Sequence, residues 1–165
     1  MERTIRIGDK EVTLRATAAV PYLYREEFGQ DMLLDMAETS SGSNTALFTR
    51  LAYIMARHAD KSQTPENIID WLDQFETFDI YQAGPAIMEV WGLNQQTTAK
   101  SKKKSRLTTR PYTTGLFMLR CVQIGLSVVD LERLSLGMVY DMMTEYNNDD
   151  VQYPYIATQE DMDRL

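Results

Sequence analysis

Chemistry needs groups that exchange protons, attack or ligate, and this 165-residue chain holds few of them. It carries one histidine, His58, and one cysteine, Cys121. A catalytic histidine works beside a nucleophile and an orienting partner. His58 falls instead at the end of an apolar-periodic stretch, where an imidazole meets the last helix carbonyls and the helix dipole. Cys121 sits in Leu119-Arg120-Cys121-Val122, a setting in which a thiol packs as a small hydrophobe. The eight glycines are scattered and build no phosphate-cradling loop. Asp149-Asp150 and Glu160-Asp161-Met162-Asp163 lack the ligand spacing of a calcium loop and read as a solvated acidic tail. The expectation is a protein with no catalytic, cofactor-binding or metal-ligating residues, and therefore not an enzyme.

Charge narrows the partners. The formal net charge is −7 and the isoelectric point near 4.7. Binding to nucleic acid rests on Lys and Arg neutralising phosphates, so neither nucleic acid nor an anionic membrane surface is the expected partner. No stretch approaches the roughly 18 apolar residues of a membrane helix, and Met1-Glu2-Arg3-Thr4-Ile5-Arg6 lacks the apolar core of a signal peptide. A single cysteine permits no internal disulfide, consistent with a reducing compartment. The ten methionines suit either core filling or an adaptable binding surface.

The elements that would position any surface are mainly helical. Residues 3–15 alternate, with Ile5, Ile7, Val12 and Leu14 apolar around Gly8-Asp9-Lys10, which predicts a β-hairpin packed on something else. Thr17 is expected to cap a helix ending at Gly29, and a short helix covers about 31–38. Asn44 is expected to cap a helix with Leu47, Leu51 and Ile54 on one stripe. Thr64-Pro65 reads as another helix start, placing Ile68, Trp71, Leu72 and Phe75 on one face. A further helix from Pro85 carries Ile87, Met88 and Trp91. Trp71, Trp91, Phe75 and Phe78 fall on helical spacing and read as core rather than as a ligand cage.

Composition then changes. Lys100, Lys102, Lys103, Lys104, Arg106 and Arg110 supply six of seventeen basic residues, with no acidic residue among them. Such a run predicts a flexible linker over 99–110 between a hairpin-plus-helix domain (1–98) and a short helical module with an acidic tail (111–165). It lacks the interleaved aromatics of a nucleic-acid site, so a solvated hinge is the favoured reading. The C-terminal module is expected to hold a helix over about 112–126 and a second from Asp130, with Leu131, Leu134, Met138 and Met142 on one stripe. Leu136, Val139 and Met143 make a second stripe, so that helix needs covering on more than one side. Tyr153-Pro154-Tyr155 either straps across these helices or docks on a partner.

Several of these segments resemble a known family. Ala16-Thr17-Ala18, Pro21, Tyr24-Arg25, Phe28-Gly29 and Asp31, then Trp71-Leu72-Asp73-Gln74-Phe75-Glu76, Ile80, Ile87 and Trp91-Gly92-Leu93-Asn94, look like the N-terminal domain of tail-assembly chaperones of long-tailed phages and prophages of Gram-positive bacteria. That likeness spans about residues 3–104. Val128-Val129-Asp130-Leu131-Glu132, Gly137-Met138-Val139-Tyr140-Asp141-Met142 and Tyr153-Pro154-Tyr155-Ile156-Ala157-Thr158-Gln159-Glu160-Asp161 look like the extension such phages add by programmed ribosomal frameshifting. Lys102-Lys103-Lys104 sits where a slippery A-rich codon run would fall.

The resemblance implies an adaptor in the host cytoplasm, absent from the mature virion. Its first part would coat the tape-measure protein and its extension would recruit the major tail-tube protein, with self-association possible. On that reading the tape-measure side is expected in grooves between the helices holding Leu47, Leu51, Trp71, Phe75 and Trp91. The tube side is expected on the 112–146 helices, through Leu134, Met138 and Met142, together with Tyr153 and Tyr155. The competing readings are an intracellular phage regulator, which would need a basic recognition helix, and a structural tail or connector subunit.

Overall fold

The alternation of residues 3–15 produces a hairpin, in a chain that is otherwise mainly α. The computed structural model describes residues 1–38, 45–103 and 109–151. β1 (Glu2–Ile7) and β2 (Lys10–Arg15) pair antiparallel, with Ile5 opposite Val12 and Ile7 opposite Lys10. Gly8 turns the chain at a φ of 60°, which glycine reaches without a Cβ clash. Ile5, Ile7 and Leu14 point into the core. A lone two-stranded sheet is marginal in water, and here β2 lies along a long helix.

That helix, α3 (Thr45–Ala59), is preceded by α1 (Val20–Phe28) and α2 (Met32–Glu38). α1 stops on Gly29, whose left-handed φ of 65° lets its N–H return to the Arg25 carbonyl. Thr17 does not cap α1 directly. Its hydroxyl accepts from Ala19 N at 3.2 Å, one residue before the helix. The Asn44 cap expected for α3 lies outside the described residues. Every side chain from Leu51 to Ala56 is buried rather than one stripe, because β2 covers one side of α3 while α1, α4 (Ile68–Leu72), α5 (Asp79–Gln82) and α6 (Gly84–Asn94) cover others.

Thr64-Pro65 does not start a helix. Tyr53 Oη donates to the carbonyls of Pro65 (3.0 Å) and Glu66 (2.7 Å), and Arg57 donates to Glu66 as well, tying 65–66 to α3. Helix α4 begins two residues later, where Asn67 Oδ1 accepts from Ile69 N at 2.8 Å. Pro85 does sit in the first turn of α6, as its fixed φ favours.

After the basic run come α7 (Thr114–Gln123), α8 (Val128–Leu131) and α9 (Leu136–Asn148). Thr113, Ser127 and Ser135 cap them, Ser127 in a reciprocal box with Asp130. The single helix expected from Asp130 is broken at 132–135. The Leu131 and Leu134 carbonyls accept from Ala19 N (3.1 Å) and Ala18 N (2.8 Å), so this turn is committed to the start of α1 rather than to its own helix.

The change of composition near residue 100 is not a break in packing. Phe117, Cys121, Leu131, Leu136 and Val139 are fully buried in the same core as Leu51, Trp91 and the hairpin. The described part of the expected flexible linker is held against α9. The Asp141 carboxylate accepts from the backbone N–H groups of Thr98 and Ala99 at 2.9–3.0 Å, which holds its carboxyl below the usual carboxylate range. The buried Asn148 accepts from Lys102 N and donates to the Lys100 carbonyl. Two turns of helix thus satisfy a backbone run that would otherwise be left to water. Among the described residues no helix is long and apolar enough to cross a membrane.

Candidate functional site

Most of the apolar residues expected to meet a partner are buried. Leu47, Leu51, Trp71 and Trp91 belong to the core. A side chain with no solvent contact offers nothing to a partner while the fold is intact, so these four are corrected to structural residues. Phe75 is half-buried at the end of an aromatic series in which Tyr24, Phe28, Tyr53, Trp71 and Phe75 follow one another at 5.0–6.2 Å. Leu134 is half-buried, Met142 is half-buried and Met138 is exposed. Lys102 and Lys103 run beside α9, Lys103 3.1 Å from Asp150. Lys104, Tyr153 and Tyr155 lie outside the described residues.

A different groove is present. A trough of about 710 Å³ opens between α3, α4 and α5, lined by Phe48, Leu72, Phe75, Phe78, Ile80 and Tyr81 with Thr49 and Thr77. Phe48 and Leu72 are the sequence neighbours of buried Leu47 and Trp71, so one face of each helix fills the core while the adjacent face forms the trough. Phe78 and Tyr81 are 68% and 62% exposed, which is uncommon for aromatic side chains this close together. Glu76 N donates to Asp79 Oδ2 at 2.9 Å, fixing the turn that presents Phe78. Asp73 and Glu76 stand on the rim, and among the described residues no basic side chain lines the trough. Phe78, expected in the core, stands outside it together with Tyr81. Their spacing of three was the available signal.

A second cleft of about 510 Å³ is polar and lies at the junction of β2, α3 and the turn after α8. Arg15, Arg57, His58, Lys61, Asp60, Glu26, Glu27 and Glu132 all face it. Arg15 Nη2 donates to the Glu132 carbonyl at 2.9 Å, and His58 Nε2 lies 2.9 Å from Thr17 Oγ1. A hydroxyl beside an imidazole has the composition of a nucleophile–base pair. Thr17 is only 2% exposed and its oxygen already accepts from Ala19 N, so no substrate reaches it. Among the described residues no three His, Cys, Asp or Glu side chains gather as metal ligands would.

His58, at the end of α3, is held neutral. Burial lowers its pKa from 6.5 to about 4, and the Arg15 charge adds to the effect more than Glu132 opposes it. The sign of the pH dependence follows. The unfolded imidazole takes up a proton below about pH 6.5 while the folded one resists until about pH 4, so protonation draws the equilibrium toward the unfolded chain. Stability contributed by neutral His58 is complete above pH 6.5 and is lost progressively as pH falls to about 4. Urea denaturation at several pH values should show this loss in the native protein and a flatter profile in His58→Gln, whose amide can still meet Thr17. Parallel profiles for the two proteins would remove His58 from the explanation.

A third apolar area lies on the helices after the basic run. Leu119 and Val122 of α7 and Tyr146 and Met138 of α9 are exposed, beside a hollow of about 170 Å³ lined by Arg120, Gln123, Ile124, Met143, Tyr146 and Asn147. Val129, just after the start of α8, is exposed as well. No family model, curated protein or solved structure matches this chain.

Proposed function

We propose that this protein is a phage tail-assembly chaperone in its long, frameshifted form, which binds and solubilises the tape-measure protein and recruits the tail-tube protein during assembly. The observation that carries the proposal is the exposed aromatic trough of Phe75, Phe78 and Tyr81 with its acidic rim, on a chain of net charge −7. A long, partly apolar client aggregates unless its exposed surface is covered, and a binder that covers it needs an apolar groove and a charged exterior. The family-like segments quoted above give the client its identity. On this reading the tape measure lies in the trough, and the tube protein meets the α7–α9 face with Tyr153 and Tyr155. The protein acts in the host cytoplasm and leaves before the virion is complete.

Full-length chain co-expressed with the tape-measure and tube proteins of the same genome should capture both. Phe78→Ser with Tyr81→Ser should lose the tape measure and keep the tube protein. Leu119→Ser with Val122→Ser should do the reverse. All four positions are exposed, so folding survives these changes and is verified by circular dichroism. Capture of neither client by the native chain would sink the proposal. Recovery of the chain in purified virions would make it a structural tail or connector subunit instead. An A-rich slippery heptamer at the codons for Lys102-Lys103-Lys104 is expected in the gene, and an uninterrupted frame without one would remove the frameshift.

A further inference from the structure

The trough between α3, α4 and α5 has a charge pattern that says more about its occupant than its apolar lining does. From residue 62 to residue 99 the sequence contains Glu66, Asp70, Asp73, Glu76, Asp79 and Glu89 and no Lys or Arg. Four of these carboxylates, Asp70, Asp73, Glu76 and Asp79, recur every third residue from α4 through the following turn to the start of α5, and Asp70, Asp73 and Glu76 are exposed. Two stand on the rim of the trough itself. We infer that the trough takes a basic amphipathic helix, a segment with two or three apolar side chains on one face and Lys or Arg flanking them. The inference rests on the proposed reading of this trough as a docking site and names the chemistry of what docks there.

Size and wall chemistry agree with that occupant. A volume of about 710 Å³ is room for a few large side chains rather than for a whole folded surface. The walls are side chains of helices, and no strand edge borders them. An extended peptide laid there would leave its backbone N–H and C=O groups unpaired as it buried apolar side chains. A helix satisfies its own backbone and presents anchors at i, i+3 or i+4, and i+7. Exposed Phe78 and Tyr81 supply the aromatic contact, and Asp73 and Glu76 on the α4–α5 side of the trough meet cations beside the incoming apolar stripe. A nucleic acid or an anionic lipid surface meets like charge at the same rim.

The test uses the full-length chain and three labelled peptides of about fifteen residues, some four helical turns. The first carries Leu at i, i+3, i+4 and i+7 with Lys elsewhere. The second replaces each Lys by Glu. The third scrambles the first so that its apolar stripe is lost. Fluorescence anisotropy should show saturable binding of the first alone. Phe78→Ser with Tyr81→Ser should weaken it about tenfold or more, as loss of buried aromatic anchors does. Asp73→Asn with Glu76→Gln should weaken it less and reduce its dependence on salt, as removal of screened rim charges does. Equal binding of the Glu peptide or the scrambled peptide would overturn the inference, and so would undiminished binding to the Phe78–Tyr81 variant.

The two proposals fail separately. If the basic helix binds the trough but the tape-measure protein is not captured, the occupant stands and the chaperone reading falls. If the tape measure is captured through Phe78 and Tyr81 while the basic helix is ignored, the chaperone reading stands and the occupant falls.

Discussion

Gly137→Ala should destabilise this protein by about 2–4 kcal/mol, although alanine is the better helix former by roughly 1 kcal/mol. Gly137 lies in the first turn of α9, where that helix meets the chain leaving α6. A Cβ there would sit 1.8 Å from the Gln96 carbonyl oxygen and 2.5 Å from its carbon. Both obstacles are backbone, so no rotamer change relieves the clash and one element must move. The same joint holds Leu136 N on Asn94 Oδ1 at 3.1 Å, and Asn94 is fully buried. A displacement of α9 therefore leaves the buried Asn94 amide oxygen and the Leu136 N–H unpaired, which adds about 1–3 kcal/mol to the steric cost. Guanidinium unfolding of the two proteins gives the difference directly. An alanine variant as stable as the native chain would mean that α9 does not pack against the 95–96 backbone as described.

The prediction is strong because it concerns a contact that no local pattern announced. The hairpin was legible since alternation and a glycine turn specify it within fifteen residues. The C-terminal end of α1 and the start of α6 were legible for the same reason: Gly29 and Pro85 act through their own backbone angles. What failed were signals that tertiary partners overrode. Thr64-Pro65 looks like a helix start until Tyr53 and Arg57 claim the carbonyls of Pro65 and Glu66. The helix expected from Asp130 divides because Ala18 and Ala19 use the carbonyls of Leu134 and Leu131. The chain entering the basic run reads as free linker because nothing within it shows that Asp141 and Asn148 wait on a helix some forty residues later to hold Thr98, Lys100 and Lys102, and residues 104–108 of the run lie outside the described residues.

The proposed docking surface was half legible for a related reason. Periodicity shows which side chains share a face and not which face is covered. Leu47 and Trp71 went inward, while Phe48 and Leu72, one position on, line the trough. The acidic run from Glu66 to Glu89 was in plain view throughout. It gained meaning only when Phe78 and Tyr81 proved to stand outside the core beside it.

Asp31→Ala should cost about 3–4 kcal/mol and loosen α7 before the rest of the fold, because one carboxylate joins two parts of the chain that are 83 residues apart. Asp31 caps α2 by accepting from Leu33 N at 3.2 Å and Leu34 N at 3.4 Å. It also accepts from Thr114 N at 2.9–3.0 Å and from Thr114 Oγ1 at 2.9 Å, and Arg25 lies 3.7 Å away. Loss of a helix cap alone costs about 1 kcal/mol. Thr114 is almost fully buried, so removing its acceptor leaves a hydroxyl and an N–H unpaired in the core, the larger share of the loss. Asp31→Asn keeps one acceptor oxygen and should cost roughly half as much, which separates the hydrogen bonds from the carboxylate charge. Hydrogen exchange reads the location: amides of α7 should lose protection in Asp31→Ala while those at the centre of α3 keep theirs. If protection fell evenly across both helices, α7 would belong to the same cooperative unit as α3 rather than to a lid fastened at Asp31. That distinction bears on the unshifted product that the proposed frameshift implies, which would end near the lysines with Asp31 and the Ala18–Ala19 backbone uncovered. A lid that opens alone lets such a product keep the hairpin, α3 and the trough. A single cooperative unit requires the short form to cover that surface with another protein before it can hold a client.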